Sequence, residues 1–175
     1  MIAIGCDHGG FALKNEIINY LNDNNVEFKD MGTFSAESIN YAPIAYKVAQ
    51  AVVSGECEKG ILICGTGIGM SMAANKVKGI RAACCSDHFG AKFTRLHNDA
   101  NILCLGGRTI GEWEAIDILE TFLNTEYDGM FHDGSLNLIR EAEEYMMNDN
   151  VWQEKPRKIS TGPLADAEIF DRSKG

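Results

Sequence analysis

Five short apolar segments, separated by amphipathic helical patterns, most constrain what this chain can fold into. Each segment is too short for a helix and is apolar almost throughout, which is typical of a strand buried on both faces of a sheet. The segments are Ile2–Cys6, Val26–Met31, Gly60–Cys64, Ile80–Cys85 and Asn101–Gly106. The pattern therefore predicts five largely buried strands.

The segments between the predicted strands carry apolar residues at helical spacing. Three such stripes are Leu13, Ile17, Tyr20 and Leu21; Ile44, Ala45, Val48, Ala49 and Val52; and Ile116, Leu119, Phe122 and Leu123. Alternating strands and helices predict an α/β fold with a five-stranded parallel sheet covered on both faces, a Rossmann-like three-layer sandwich. Ligands of such folds bind beyond the carboxyl ends of the strands, so the residues that follow each strand are the candidates for function.

The C-terminal part of the chain departs from this alternation. A glycine-containing loop after Thr125 leads to one more helical pattern, and the periodicity stops at Asn148. We expect a single domain over residues 1–148 and a C-terminal extension, residues 149–175, that packs on the domain or on a dimer partner. The last helical pattern consists of Leu138, Ile139, Ala142, Tyr145 and Met146, and the extension offers Trp152, Ile159, Leu164, Ile169 and Phe170 for packing.

Charge and composition exclude several classes of protein. The 175 residues carry a formal net charge of −9, which argues against binding to nucleic acid and to anionic membrane surfaces. Neither a signal peptide nor an apolar run long enough to cross a bilayer is predicted, so we expect a cytoplasmic protein. The six cysteines form no C-x-x-C pair and no zinc-type cluster with histidine, so we expect buried, reduced thiols and no metal.

The segment GILICGTGIGMSMAANK, residues 60–76, contains the most informative loop. It is not a dinucleotide fingerprint, because Met70 stands where the third glycine belongs, and it lacks the Gly-Lys-Ser/Thr of a phosphate loop. The surroundings of Ser71 only approximate a serine nucleophile elbow. What remains is Cys64 at a strand end, followed by the small residues Gly65–Gly69 that lead into a helix.

Two interpretations of this loop stay open on sequence alone. Glycines let backbone N–H groups approach an anion, and a helix N-terminus favours both an anion and a thiolate. Cys64 is then a base beside an oxyanion hole. In the other interpretation Cys64 is a buried core thiol.

Several motifs together resemble the ribose-5-phosphate isomerase B family, which includes the galactose-6-phosphate isomerase subunits. They are IAIGCDHGGFALK, GTFSAES, GILICGTGIGMSMAANKVKGIRAA, HNDANILCLGGRTIG and FLNTEY, between Met1 and about Gly129. The resemblance implies a Rossmann-like homodimer with active sites at the subunit interface, and leaves a dimer of dimers open. It also implies a cofactor-independent aldose–ketose isomerase acting on a small sugar phosphate through an enediolate.

The resemblance also implies roles for individual residues. Cys64 corresponds to the base, Thr66 and His97 to groups that assist ring opening, and Asp7 to a carboxylate near the ring. The remaining residues correspond to substrate-binding positions: His8, Tyr41, Gly65, Gly67, Ile68, Gly69, Asn98, Arg108, His132 and Arg140. Arg140 is included only as a candidate substitute for family arginines, which are replaced here by Phe131 and Ser135.

Structural alternatives exist for several of these residues. Asp7 and His8 fit a turn with a helix N-cap, His97 and Asn98 a helix C-terminus, and Tyr41 a core aromatic residue. Because two arginine positions are lost, the substrate also stays open. Ribose 5-phosphate is the first expectation, and a tetrose or hexose phosphate, a non-phosphorylated sugar or a non-catalytic binding subunit are the alternatives.

Overall fold

A computed structural model describes residues 1–144 of the chain. Five parallel strands form one sheet in the order β2-β1-β3-β5-β4. Their bounds are Ile2–Cys6 (β1), Phe28–Asp30 (β2), Lys59–Cys64 (β3), Ala82–Cys84 (β4) and Ile102–Gly106 (β5). The predicted parallel α/β sandwich is thereby confirmed.

The three central strands differ from the two edge strands. Every residue of β1 and β5 is buried, and so are the five residues from Gly60 to Cys64 in β3. The prediction of largely buried strands is wrong for β2 and β4, which are three residues long and partly exposed. Each of these edge strands pairs with only one neighbouring strand, so fewer of its residues are buried in the sheet.

Helices cover both faces of the sheet and make it a three-layer structure. They are α1 (Phe11–Asp23), α2 (Tyr41–Val53), α3 (Ile68–Ala74), α4 (His88–Asn98) and α5 (Glu112–Asn124). One core joins the sheet to α1, α4 and α5, and the other joins it to α2 and α3. The predicted stripes supply these cores, although Tyr20, Val52, Ile116 and Leu123 are only partly buried. No helix within residues 1–144 is long and apolar enough to cross a membrane.

The chain divides into two compact units, of which the first is Met1–Gly129 and the second begins at Met130. The second unit contains a 3-10 helix, Met130–His132, and helix α6, Asp133–Glu144. Leu136 is the buried residue of α6, whereas Ile139 of the predicted stripe is exposed. Tyr145, Met146, the predicted boundary at residue 148 and the extension 149–175 lie outside the described residues.

The cysteines follow the prediction with one exception. Cys6, Cys57, Cys64, Cys85 and Cys104 are free and buried, but Cys84 is free and exposed. The expectation of buried thiols is therefore wrong for Cys84, because it is the last residue of an edge strand.

Candidate active site

Cys64 is the last residue of β3, at the carboxyl edge of the sheet where the prediction placed a site. The residue is 5% exposed, and its Sγ accepts a hydrogen bond from the N–H of Gly67 at 3.1 Å. The neighbouring strand holds its backbone, since the Gly107 N–H donates to the Cys64 carbonyl at 2.8 Å. The sulfur is thus fixed beside the loop that begins helix α3.

The loop after Cys64 depends on glycine at its centre. Gly67 has a φ of +77°, and a Cβ at this position would lie 2.8 Å from the Cys84 Sγ and 3.0 Å from the Leu105 carbonyl carbon. Only glycine combines this left-handed conformation with such a close approach. The turn directs one backbone N–H at Cys64 and starts α3 at Ile68.

Two N–H groups in the run from Gly65 to Gly69, which the resemblance implies is an oxyanion hole, face acceptors within the protein. The Gly67 N–H is directed at Cys64, and the Ile68 N–H faces the Thr66 Oγ1 at 3.4 Å. Within residues 1–144, the N–H groups of Gly65, Thr66 and Gly69 have no hydrogen-bond acceptor. Three peptide donors therefore remain for an anion at this edge.

Tyr41 stands over this loop from the first turn of α2. Its ring would lie 3.0 Å from a Cβ at Gly69, and the residue is 40% exposed. Asn40 caps the helix by accepting the Ala42 N–H at 2.9 Å. The alternative of a core tyrosine is therefore wrong, because the ring borders the loop and faces solvent.

Asp7 and His8 follow β1 at the same edge. The Asp7 Oδ1 accepts the N–H groups of Gly9 at 2.8 Å and Gly10 at 3.2 Å, so it stabilises a turn, as the structural alternative anticipated. The N-cap of α1 is Gly10, so no side chain caps this helix. His8 accepts the Ile39 N–H at Nδ1 at 3.3 Å and thereby contacts the loop after β2.

Arg108 completes the group of residues at the carboxyl edge. It follows β5, its backbone N–H donates to the Gly65 carbonyl at 3.0 Å, and its Cδ lies 3.6 Å from the position of a Cβ at Gly65. A Cβ at Gly9 would approach the Gly65 nitrogen to 2.9 Å. The loops after β1, β3 and β5 are thus in direct contact, and Arg108 is an exposed cation beside the thiol loop.

His97 and Asn98 lie at the opposite edge of the sheet. They end α4, and the Asn98 carbonyl accepts the Arg81 Nε at 3.1 Å. Arg81 immediately precedes β4, so this is the amino edge, whereas Cys64 pairs with the last residue of β5. The length of β5 separates the two groups by at least about 13 Å. One chain does not bring His97 and Cys64 together.

His132 and Arg140 belong to the second unit of the chain. His132 ends the 3-10 helix and contacts the Phe131 ring edge-to-face at 6.2 Å. Arg140 is exposed on α6, where its Nη1 donates to the Asn137 Oδ1 at 2.8 Å.

Cys84 was missed as a candidate by the sequence reasoning. Its Sγ lies 3.5 Å from the Thr66 carbonyl oxygen and contacts Gly67. Burial of the sulfur against the loop, followed by the nearby Cys64 thiol, raises the pKa of Cys84. Its position one residue before the end of the predicted strand Ile80–Cys85 was the available signal.

Comparisons with known proteins identify the family of the chain. Residues 2–139 match the model of the ribose/galactose isomerase family. Ribose-5-phosphate isomerase B of Escherichia coli (strain K12) is 46% identical over 143 residues, which cover 82% of this chain and 96% of that protein. The 4-deoxy-4-sulfo-D-erythrose isomerase of Clostridium sp. (strain MSTE9) is 40% identical over 147 residues, covering 82% and 91%.

A solved structure has the same fold. Ribose-5-phosphate isomerase B of Clostridium thermocellum superposes with a TM-score of 0.82 and 50% identity, covering 83% of this chain and 98% of that one. Fold and relatives together define an aldose–ketose isomerase built on a parallel α/β sandwich. The chain belongs to the ribose/galactose isomerase family.

Proposed function

We propose that this protein interconverts ribose 5-phosphate and ribulose 5-phosphate through an enediolate, with Cys64 as the base. The observation that carries the proposal is the Cys64 Sγ, which accepts the Gly67 N–H at 3.1 Å beside three peptide N–H groups that have no acceptor within residues 1–144. A peptide N–H binds a thiolate more strongly than a thiol, because the acceptor is charged. The same site thus holds a base and donors for an oxyanion.

The reaction moves two protons within the sugar, and it needs no external oxidant or reductant because C1 is reduced while C2 is oxidised. The Cys64 thiolate removes the proton from C2 of the open aldose and returns it to C1, while the O2 proton passes to O1. The negative charge develops on O1, and preorganised N–H donors lower the barrier where that charge appears. The N–H groups of Gly65, Thr66 and Gly69 are assigned to this task. No cofactor or metal takes part in the proposed reaction.

The other residues at the carboxyl edge are assigned to the sugar. Asp7 lies near the ring, Thr66 assists ring opening, and Tyr41 and His8 contact hydroxyl and phosphate groups. Arg108 provides a cation beside the loop, as a phosphate in an acidic protein requires.

We further propose a homodimer in which each active site takes residues from two copies of the chain. His97, the proposed ring-opening acid–base group, and Asn98 lie on the edge opposite Cys64, and this separation supports the proposal. A second copy that presents its amino edge to the thiol loop supplies both residues. His132 and Arg140 are assigned to substrate binding.

One observation favours a second substrate class. Phe131 and Ser135 stand where the resemblance implies phosphate-binding arginines, and a relative at 40% identity is named for a sulfonated tetrose. Arginine pairs bind phosphate through bidentate hydrogen bonds that phenylalanine and serine do not replace. A panel of pentose, tetrose and hexose phosphates, free sugars and a sulfonated tetrose distinguishes these substrates by kcat/KM.

The test of the proposed base is Cys64→Ala. We expect kcat to fall by about 10³-fold, the range of general-base catalysis, while calorimetry still detects binding of ribose 5-phosphate. Cys57→Ala is the matched control, because Cys57 is equally buried but lies before the amino end of β3. A Cys64→Ala protein with more than a tenth of the normal kcat would exclude Cys64 as the base.

A further inference from the structure

One peptide unit joins the two thiols at the carboxyl edge. The Thr66–Gly67 peptide directs its N–H at the Cys64 Sγ at 3.1 Å, and its carbonyl oxygen faces the Cys84 Sγ at 3.5 Å. The carbonyl and N–H of a trans peptide point in opposite directions, so the unit lies between the two sulfurs.

From this arrangement we infer that Cys84 is a positioning residue for the isomerase reaction, acting on Cys64 through the Thr66–Gly67 peptide. The inference rests on the proposed function, in which Cys64 is the base. The Cys84 S–H donates to the Thr66 carbonyl and fixes the plane of the peptide. Hydrogen bonds in a chain polarise one another, so the same bond strengthens the donation from Gly67 to Cys64.

Contacts with neighbouring residues must orient the Thr66–Gly67 peptide, because the backbone of Gly67 does not fix it. A residue at φ +77° with no side chain has no rotamer or Cβ contact to hold it, and glycine readily changes conformation. The Cys84 sulfur occupies one side of Gly67, and the Leu105 carbonyl group lies close by. Removing the sulfur donor therefore releases one of the contacts that orient the N–H.

The effect of Cys84 is expected to be modest and specific. An S–H···O bond is weak, which corresponds to about a two- to fivefold change in rate. Cys84→Val retains the volume and suits a strand but lacks the donor, whereas Cys84→Ser retains a donor. We expect kcat of Cys84→Val to fall about two- to fivefold with KM unchanged, and kcat of Cys84→Ser to remain near that of the unsubstituted protein.

A second readout follows the Cys64 sulfur directly. Burial raises the pKa of Cys6 to about 11 and of Cys85 to about 12, and also raises the pKa of Cys57, Cys84 and Cys104. The ultraviolet absorbance of thiolate, recorded with and without Cys64→Ala, therefore isolates Cys64 in each background. In Cys84→Val, we expect both this signal and the rising limb of the kcat–pH profile to move to higher pH.

The other charged and titratable residues around the loop are not substituted in these variants. They include the Cys104 thiol on β5, Asp7 after β1 and Arg108 after β5. Cys57→Val is the matched control for losing one thiol, because Cys57 lies away from the loop. Thermal unfolding of each variant verifies that it is folded, and Cys84→Ala replaces Cys84→Val if the latter is not.

The outcomes separate the two proposals. If Cys84→Val leaves kcat, the pH profile and the thiolate signal unchanged, the inference is wrong even where Cys64 is essential. Equal losses in Cys84→Val and Cys84→Ser with an unchanged thiolate signal assign Cys84 to packing and also overturn it. If Cys64→Ala remains active, the proposed base is wrong, whereas the thiolate signal still measures the coupling between Cys84 and Cys64.

Discussion

At the carboxyl edge of the sheet, the N–H groups of Gly65, Thr66 and Gly69 have no acceptor within residues 1–144, whereas at the amino edge charged side chains are paired. Arg81 and Arg95 both bind the Asp99 carboxylate, at 2.8 Å and 2.9 Å, and Arg95 also donates to the Ala100 carbonyl. The first edge has donors for a ligand, and the second fixes the end of α4. Yet His97 and Asn98, the proposed ring-opening and hydroxyl-binding residues, belong to the second edge.

Under the proposed shared site, each chain carries two half-sites, one at each edge. The N–H groups without acceptors within residues 1–144 suit an anionic intermediate, while the paired arginines fix the end of α4, which carries His97. His97 is itself packed edge-to-face on Phe93, with ring centroids 4.8 Å apart. Variants at each edge, alone and mixed, test whether the two edges act together and what each one contributes.

The largest expected effect comes from mixing two inactive variants. Cys64→Ala damages one edge and His97→Asn the other, so a mixed dimer contains one intact site and one doubly damaged site. Co-refolding equal amounts should restore about a quarter of the normal activity, because half of the dimers are mixed and each has one active site of two. No recovery, with mixed dimers detected by mass spectrometry, would contradict the shared site.

The second prediction concerns His97 alone. If this residue opens the sugar ring, His97→Asn should reduce kcat/KM for ribose 5-phosphate by about 10²-fold, within the range of acid–base catalysis. A tetrose phosphate, which needs no ring opening, should lose far less. Initial rates on both substrates decide the matter, since equal losses would assign His97 a structural role.

The bounds of the central strand β1 were predicted more accurately than those of the edge strands β2 and β4, and burial explains the difference. β1 was predicted with its exact bounds, Ile2–Cys6, because a strand between two neighbours and two helix layers must be apolar throughout. The predicted bounds for β2 and β4 were too long. Apolar residues such as Val26 and Ile80 flank these edge strands and pack in the core, but they lie outside the sheet ladder.

The site was predictable where it is local in sequence. The strand end at Cys64 and the start of α3 follow from glycine spacing within one short segment. The contact between Cys84 and Gly67 depends on the register of β4 against β5, which no local pattern contains. The position of His97 was accessible from topology, because the helix after a parallel strand must run back to the amino edge.

A third prediction compares two glycines with the same backbone conformation. Gly67 and Gly55 have φ values of +77° and +78°, but a Cβ at Gly55 would meet nothing within 4 Å. Gly55→Ala should therefore cost about 1 kcal/mol of stability through strain alone. Gly67→Ala should cost about 1–3 kcal/mol more, because the methyl group also overlaps Cys84 and Leu105. Urea unfolding measures both, and equal losses would show that the loop yields to the methyl group.

The smallest expected effect belongs to Tyr20 at the amino edge. Its hydroxyl donates to the Glu120 Oε1 at 2.7 Å, and burial, followed by this hydrogen bond and the Glu120 charge, raises the pKa of Tyr20 to about 12. A raised folded-state pKa means that the folded protein retains the proton longer than the unfolded chain, whose tyrosines titrate near 10. The stabilisation is thus complete below about pH 10 and is lost as the pH rises through about 12.

Tyr20→Phe should therefore lose stability less steeply than the unsubstituted protein between about pH 10 and 12. Below pH 10 the difference in free energy of unfolding should be about 0.5 kcal/mol or less, because solvent screens this partly exposed pair. Cys6 and Cys85, whose pKa values burial raises to about 11 and about 12, are present in both proteins, so their contribution cancels. Tyr46→Phe, on the exposed face of α2, is the control. Parallel pH profiles for the unsubstituted protein and Tyr20→Phe would mean that the contact with Glu120 does not raise the pKa of Tyr20 in the folded protein.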